Sequence, residues 1–251
     1  MNFIKNSIKS YLPKQINIVR SFSTLDKKYN TKFDTKFDAK SDGQTLYKKS
    51  LFDKKIDLIV CNGPAGSGKT SLACDYAINM LKNNKCKKII LTRPTVAIEE
   101  NLGFLPGGIN EKMYPWTIPI FDIFLEYFTK KDLDLYVKEN IIEICPLGFI
   151  QGRTFKDAII IADEMQNSST GQMFMLLTRI GTNSKMIVNG DLTQTSMRNN
   201  GLEDLIGKIY KKWSNDKDEL QKNNLSLIEL QHDDIQRHEM VKKVITLYNK
   251  N

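Results

Sequence analysis

Residues 63–70 read Gly-Pro-Ala-Gly-Ser-Gly-Lys-Thr. They follow the apolar run IDLIVC (56–61) and lead into TSLACDYAINMLK (70–82), where Leu72, Ala73, Tyr76, Ala77 and Met80 recur at helical spacing. Few folds accommodate a glycine-rich loop that joins a buried strand to a helix. The glycines let successive backbone N–H groups turn toward one point, and the helix start adds the positive end of its dipole there. Such a loop holds phosphate. Gly63, Pro64, Ala65, Gly66, Ser67 and Gly68 form the expected cradle, with Ser71 in the first helical turn. Lys69 is expected to reach the β- and γ-phosphates of a nucleotide and the Thr70 hydroxyl to ligate Mg²⁺.

The rest of the chain has the same grain. KIILT (88–92), IIEIC (141–145), AIIIA (158–162), KMIVN (185–189) and LSLIEL (225–230) are apolar runs of strand length, and helical patterns occur at 117–128, 170–179 and 237–248. Alternating strands and helices predict one α/β domain, a mostly parallel central sheet with helices on both faces. Ligands of such sheets bind beyond the carboxyl ends of the strands, where the glycine-rich loop lies. The 251 residues suffice for one such core with little left for a second domain. No apolar run approaches the roughly 20 residues that cross a bilayer, so membrane insertion is not expected. Cys61, Cys74, Cys86 and Cys145 have neither CxxC spacing nor paired histidines nearby, which argues against a zinc site or a disulfide framework.

Two further strand ends carry candidate chemistry. AIIIADE ends in Asp163, placed to hold the metal beside the loop, and in Glu164, placed to orient and deprotonate a water. KMIVNGDLTQ presents Asp191 and, three residues on, Gln194, whose amide can hold the γ-phosphate and the attacking water. The plainer reading of this second stretch is a Gly-Asp turn followed by a polar side chain.

Several blocks together resemble the PhoH-like ATPases: GPAGSGKT, LTRPTV, LGFLPG, EKMYP, QGRTF, DEMQN, LTRIGTNSKMIVNGDLTQ and DIQRHEMV, in that order. The resemblance covers roughly residues 43–248 and implies a single RecA-like P-loop NTPase domain related to superfamily 1 helicases. It implies binding and hydrolysis of ATP with Mg²⁺ and suggests work on RNA. Carried over by position, Lys69 and Thr70 are the Walker A pair, Asp163 and Glu164 the Walker B pair, and Gln194 the glutamine of the helicase-like GDxxQ motif. Arg237 corresponds to a C-terminal arginine that meets transition-state charge. Gln44, with Tyr47, resembles a glutamine-aromatic element that reads adenine; its alternative is an ordinary amide at a helix cap. The chain departs from the family pattern at Gln151, where an arginine is usual, at Asn189 in place of threonine, at Met165 in place of a small residue, and at Ala97 and Glu99.

One RecA-like domain lacks the second that completes a helicase site. A homo-oligomer, ring or dimer, could supply an arginine in trans, with Arg153, Arg179 and Arg237 as candidates; otherwise Arg237 folds back in cis. The segment 102–122 places Phe104, Tyr114 and Trp116 near Arg93 and Lys112. These aromatics either stack on bases of RNA without sequence preference or cover the sheet edge. TKKD (129–132) matches a guanine-reading motif but precedes Asp163 in a charged run, and a small-molecule kinase would leave Glu164 and Gln194 surplus. A nucleotide-dependent scaffold or switch acting on a protein partner is the first alternative, with the small-molecule kinase behind it.

The net charge of +8 is unevenly spread: residues 1–25 hold four basic and no acidic side chains, the remainder 33 basic and 29 acidic. Residues 1–25 have the composition of a mitochondrial transit peptide, which places the expected product in the matrix; a basic tail on a cytoplasmic protein is the alternative. Residues 26–42 read as a charged low-complexity linker and 43–251 as the ATPase domain.

Overall fold

The computed structural model describes residues 35–94, 109–195, 197–214, 216–236 and 240, with residues 109–116 described as backbone alone. The expected targeting segment, Phe104, Arg237 and the 237–248 pattern lie outside these residues, as do the side chains of Lys112, Tyr114 and Trp116.

All six apolar runs form strands: β1 (Leu58–Asn62), β2 (Lys88–Thr92), β3 (Ile142–Ile144), β4 (Ala158–Ala162), β5 (Lys185–Gly190) and β6 (Leu225–Glu229). They make one sheet in the order β3-β2-β4-β5-β1-β6, and every pairing is parallel. The described helices are α1 (Asp42–Phe52), α2 (Lys69–Lys82), α3 (Ile109–Leu125), α4 (Lys130–Lys138), α5 (Thr170–Leu177), α6 (Gly201–Trp213) and α7 (Lys217–Lys222). This is the expected α/β architecture of a P-loop NTPase domain.

Strand alternation sends side chains to two buried faces, which is why the runs are continuously apolar. Val60, Ile90, Ile160, Met186, Val188 and Leu227 form one face with Met173 and Leu176 of α5 and Leu202, Ile206 and Ile209 of α6. Ile59, Cys61, Leu91, Ile161 and Ile187, also fully buried, face the other way toward α1 and α2. Burying each such aliphatic side chain contributes about 1.5–3 kcal/mol.

Side-chain caps set several helix starts. Ser41 accepts from the Gln44 N–H at the start of α1, and Ser169 and Gln172 form a capping box on α5. Thr129 caps α4 by accepting from the Asp132 N–H, so TKKD is a helix N-terminus. Helix α3 begins eight residues before the expected position and takes Pro115 and Pro119 into its interior. Ahead of α1, the Lys36 N–H donates to the Asp75 carboxylate at 3.2 Å and to the Tyr127 hydroxyl at 2.8 Å, which ties the start of the described chain to α2. Among the described residues no helix is long and apolar enough to cross a membrane.

Candidate nucleotide-binding site

Four adjacent strands, in the order β2-β4-β5-β1, end on one cleft. Past β2 stands Arg93, past β4 Asp163 and Glu164, past β5 Asp191 and Gln194, and past β1 the glycine-rich loop. The cleft measures about 390 Å³, and Pro119, Ile120 and Ile123 of α3 supply an apolar wall. The sheet thus gathers residues more than 100 positions apart.

The loop adopts the conformation that an anion cradle requires. Gly66 and Gly68 have φ of 81° and 83°, a left-handed backbone that a side chain would strain. Gly68 then serves as the N-cap of α2, so the first N–H groups of a 14-residue helix open onto the cleft without a side-chain cap. The Lys69 ammonium donates to the Gly63 and Pro64 carbonyls at 2.6 and 2.9 Å. It is buried and already inside the cradle.

The Thr70 hydroxyl donates to Asp163 Oδ2 at 3.0 Å. Burial and the neighbouring Glu164 raise the pKa of Asp163, while the Thr70 hydroxyl and the Lys69 ammonium oppose the rise. A carboxylate in this setting gains from a cation. Among the described residues no group of three or more His, Cys, Asp or Glu side chains could cage a metal. A hydroxyl and one carboxylate at the edge of a phosphate cradle instead match Mg²⁺, which keeps waters and takes phosphate oxygens as ligands. The residues fit the implied group.

Glu164 sits at φ 55°, ψ 35°, a left-handed conformation uncommon for a residue with a side chain and typical of positions where backbone strain serves a site. Gln166 Nε2 donates to Glu164 Oε2 at 2.7 Å. Asp191 turns most of its carboxylate inward, accepting from the Ala65 N–H at 3.0 Å, the Thr193 N–H at 3.0 Å and the Thr193 hydroxyl at 2.6 Å. It therefore clips the loop after β5 to the phosphate loop. Gln194 follows on an exposed turn at the cleft edge.

Gln44 lies behind the loop and outside the cleft lining. Its Nε2 donates to the Ser67 and Asp234 carbonyls at 3.0 and 3.1 Å, and its Oε1 accepts from the Lys40 N–H at 2.7 Å. The expected partner Tyr47 is a correction: it is fully buried, and its hydroxyl donates to Asn189 Oδ1 at 2.8 Å, so it has no face to offer a base. The turn after β6 closes against the same loop, with the Gln236 N–H donating to the Gly66 carbonyl at 3.0 Å. Arg153 makes a bidentate pair with Glu143, at 2.5 and 3.0 Å. Arg179 donates to the Met175 and Arg153 carbonyls, both at 3.1 Å. Two of the three arginines expected in trans are thus engaged within their own chain.

Sequence reasoning missed Gln166 as a site residue, although it falls two positions after Glu164, and assigned Arg93 to nucleic acid rather than to the cleft it lines. The signal for Gln166 was its place directly behind the acidic pair. For Arg93 no signal short of the strand order was available.

The family profile described as PhoH-like protein matches residues 36–249. The PhoH-like protein of Bacillus subtilis is 41% identical over 209 residues, covering 83% of this chain and 62% of that protein. The PhoH-like protein of Synechocystis is 37% identical over 211 residues, 83% of this chain and 61% of that protein. Protein PhoH of Escherichia coli K12 is 37% identical over 171 residues, 66% of this chain and 48% of its own. The chain thus spans about three fifths of the length of the first two relatives.

Proposed function

The chain belongs to the PhoH-like protein family, and from that premise we propose that it binds Mg·ATP in the cleft and hydrolyses it with water. The observation that carries the reading is the 3.0 Å contact between Thr70 and Asp163, made beside Lys69 and Glu164 in a single cleft. Bound Mg²⁺ supplies charge neutralisation at the phosphates. Lys69 leaves the loop carbonyls to donate to phosphate oxygens, and the N–H groups of Gly66, Gly68, Lys69 and Thr70 hold the same oxygens, while those of Ala65 and Ser67 stay bonded to Asp191 and the Pro64 carbonyl. Glu164 orients a water and accepts its proton, and Gln194 holds the far side of the γ-phosphate. Pro119, Ile120 and Ile123 of α3 add an apolar wall to the same cleft.

The finer parts of the proposal are coupling to RNA without sequence preference, an oligomer whose neighbour completes the site, and a mitochondrial location. RNA is supported by the helicase-like arrangement of Asp163, Glu164 and Gln194 and by the aromatics Phe104, Tyr114 and Trp116 of segment 102–122, with Arg93 and Lys112 in the surrounding sequence. The location is supported by the acid-free composition of residues 1–25.

Phosphate release by the purified protein, with ATP or GTP and with or without single-stranded RNA, tests the reading. Glu164→Gln is expected to keep nucleotide affinity and lose roughly 10²- to 10⁴-fold in turnover, and Lys69→Ala to lose binding. Turnover at the normal rate in Glu164→Gln overturns the assignment of the base. Hydrolysis indifferent to RNA removes RNA and leaves a protein partner.

A further inference from the structure

Gln166 occupies a position that the hydrolytic reading does not use. Its side chain is 1% exposed, yet both ends of its amide are committed. Nε2 donates to Glu164 Oε2 at 2.7 Å, while Oε1 accepts from the Asp191 N–H at 3.1 Å. One neighbour is a carboxylate and the other a backbone N–H, so only this orientation of the amide satisfies both. The backbone carbonyl of Gln166 also accepts from the Thr195 hydroxyl at 3.0 Å. The loop from Asp191 to Thr195, which carries Gln194, is thereby anchored at both ends on one residue.

The packing leaves this link little slack. A Cβ on Gly190 would lie 2.9 Å from Gln166 Oε1 and 2.5 Å from Leu202 Cδ2, so the strand end comes closer than a side chain allows. Glu164 is itself held in a left-handed backbone conformation between Asp163 and Met165. A displacement of the Asp191 N–H therefore has a short path to the Glu164 carboxylate.

We propose that Gln166 is a positioning residue that couples the Gln194 loop to Glu164, so that the base is aligned only while the loop is seated. The proposal rests on the reading of Glu164 as the group that orients water. Gln194 senses the γ-phosphate from the cleft edge, the Asp191 backbone moves with it, and the amide of Gln166 carries that movement to Oε2 of Glu164.

Two substitutions in the full chain separate the two ends of the link. Gln166→Met removes both hydrogen bonds. Gln166→Glu keeps an acceptor for the Asp191 N–H and replaces the donor to Glu164 by a second carboxylate. Hydrogen–deuterium exchange of the 186–195 segment without nucleotide is expected to speed up in Gln166→Met and to stay near wild type in Gln166→Glu. Both variants are expected to lower kcat by roughly 10- to 100-fold, the scale of a misplaced catalytic group. The KM for ATP and the affinity for a fluorescent ATP analogue should stay within about threefold. Adding Gln194→Ala to Gln166→Met should cost little beyond the larger single effect, because both changes break one path.

Wild-type kcat in Gln166→Met, with Glu164→Gln inactive in the same assay, overturns the proposal and spares the base. So does full additivity with Gln194→Ala. Normal turnover in Glu164→Gln sinks the reading beneath it, and the exchange result then decides whether the physical link exists. Should Gln166→Met fail to fold, Gln166→Glu and Thr195→Ala, which releases the loop's other anchor on the Gln166 carbonyl, carry the test.

Discussion

Lys185 opens β5 on the face covered by α1 and α2, and it is nearly buried. Its ammonium donates to the Leu51 and Asp53 carbonyls, both at 2.7 Å, at the C-terminal end of α1, where carbonyls lack partners within the helix. It also lies 5.2 Å from the centre of the Tyr76 ring. Loss of water pulls its pKa from 10.5 down to about 8, against the opposing pull of Asp53 and Asp57. Between pH 8 and 10.5 the unfolded chain therefore holds a proton that the native state has released, and this residue makes stability rise with pH across that window. Fully expressed, the difference is worth roughly 3 kcal/mol.

Buried thiols act in the opposite direction. Cys86, pushed up to about 12 by burial, keeps its proton in the fold while the unfolded chain ionises from about pH 9. Raw stability curves therefore mix the two effects, and only a comparison isolates the lysine. Lys185→Met leaves the thiols in place. Urea unfolding of both proteins from pH 8 to 10.5, under reducing conditions, should show the wild type gaining up to about 3 kcal/mol on the variant. A difference that stays level across the window refutes the argument, because an ammonium that keeps its solution pKa has no stability to recover. The result bears on function because α1 carries Gln44, whose amide holds the Ser67 carbonyl of the phosphate loop.

Two more outcomes follow from single contacts. Asp163→Asn removes a carboxylate whose pKa burial and Glu164 raise, so the nucleotide-free protein should melt higher than wild type. The same change should abolish the extra thermal shift that Mg²⁺ adds to ATP, which differential scanning fluorimetry reads directly. Tyr47→Phe takes away the partner of Asn189 Oδ1 in a side chain whose Nδ2 already lacks one, at a cost of about 1–3 kcal/mol in urea unfolding.

The strands were legible because both faces of the sheet are buried, so Ile159, Ile160 and Ile161 read as one apolar run whichever way each points. Helix α1 was harder. Only Gln44, Tyr47 and Leu51 of its eleven residues are buried, and one of those is an amide, so its pattern is too polar for hydrophobic periodicity to find. The phosphate loop and the Asp163–Glu164 pair were legible as local motifs, each read within ten residues. Tyr47 was misread because its true partner, Asn189, lies 142 residues away, and no local pattern announces a hydroxyl buried against a sheet. Two of the five departures from the family pattern, Asn189 and Met165, have an evident place in three dimensions. Asn189 has the reach to accept from Tyr47, and Met165 fills the core under the acidic turn together with Leu147, Ile150 and Leu202.

Each group expected to act on the nucleotide already has a partner inside the protein: Lys69 the loop carbonyls, Thr70 the Asp163 carboxylate, Glu164 the Gln166 amide. Binding therefore exchanges hydrogen bonds rather than adding them, and an exchanged bond contributes only about 0.5–1.5 kcal/mol. The larger gain has to come from charge. The open N-terminus of α2 and the Lys69 ammonium line the cleft together with a second group, the carboxyl groups of Asp163 and Glu164. Phosphate alone would meet attraction at the first and repulsion at the second. A divalent cation between the phosphates and Asp163 turns that repulsion into attraction, so affinity for ATP should depend on Mg²⁺ far more steeply in the wild type than in Asp163→Asn. Burial and the neighbouring Glu164, which raise the pKa of Asp163 in the nucleotide-free protein, would under the proposed function also favour the metal-bound form of the nucleotide.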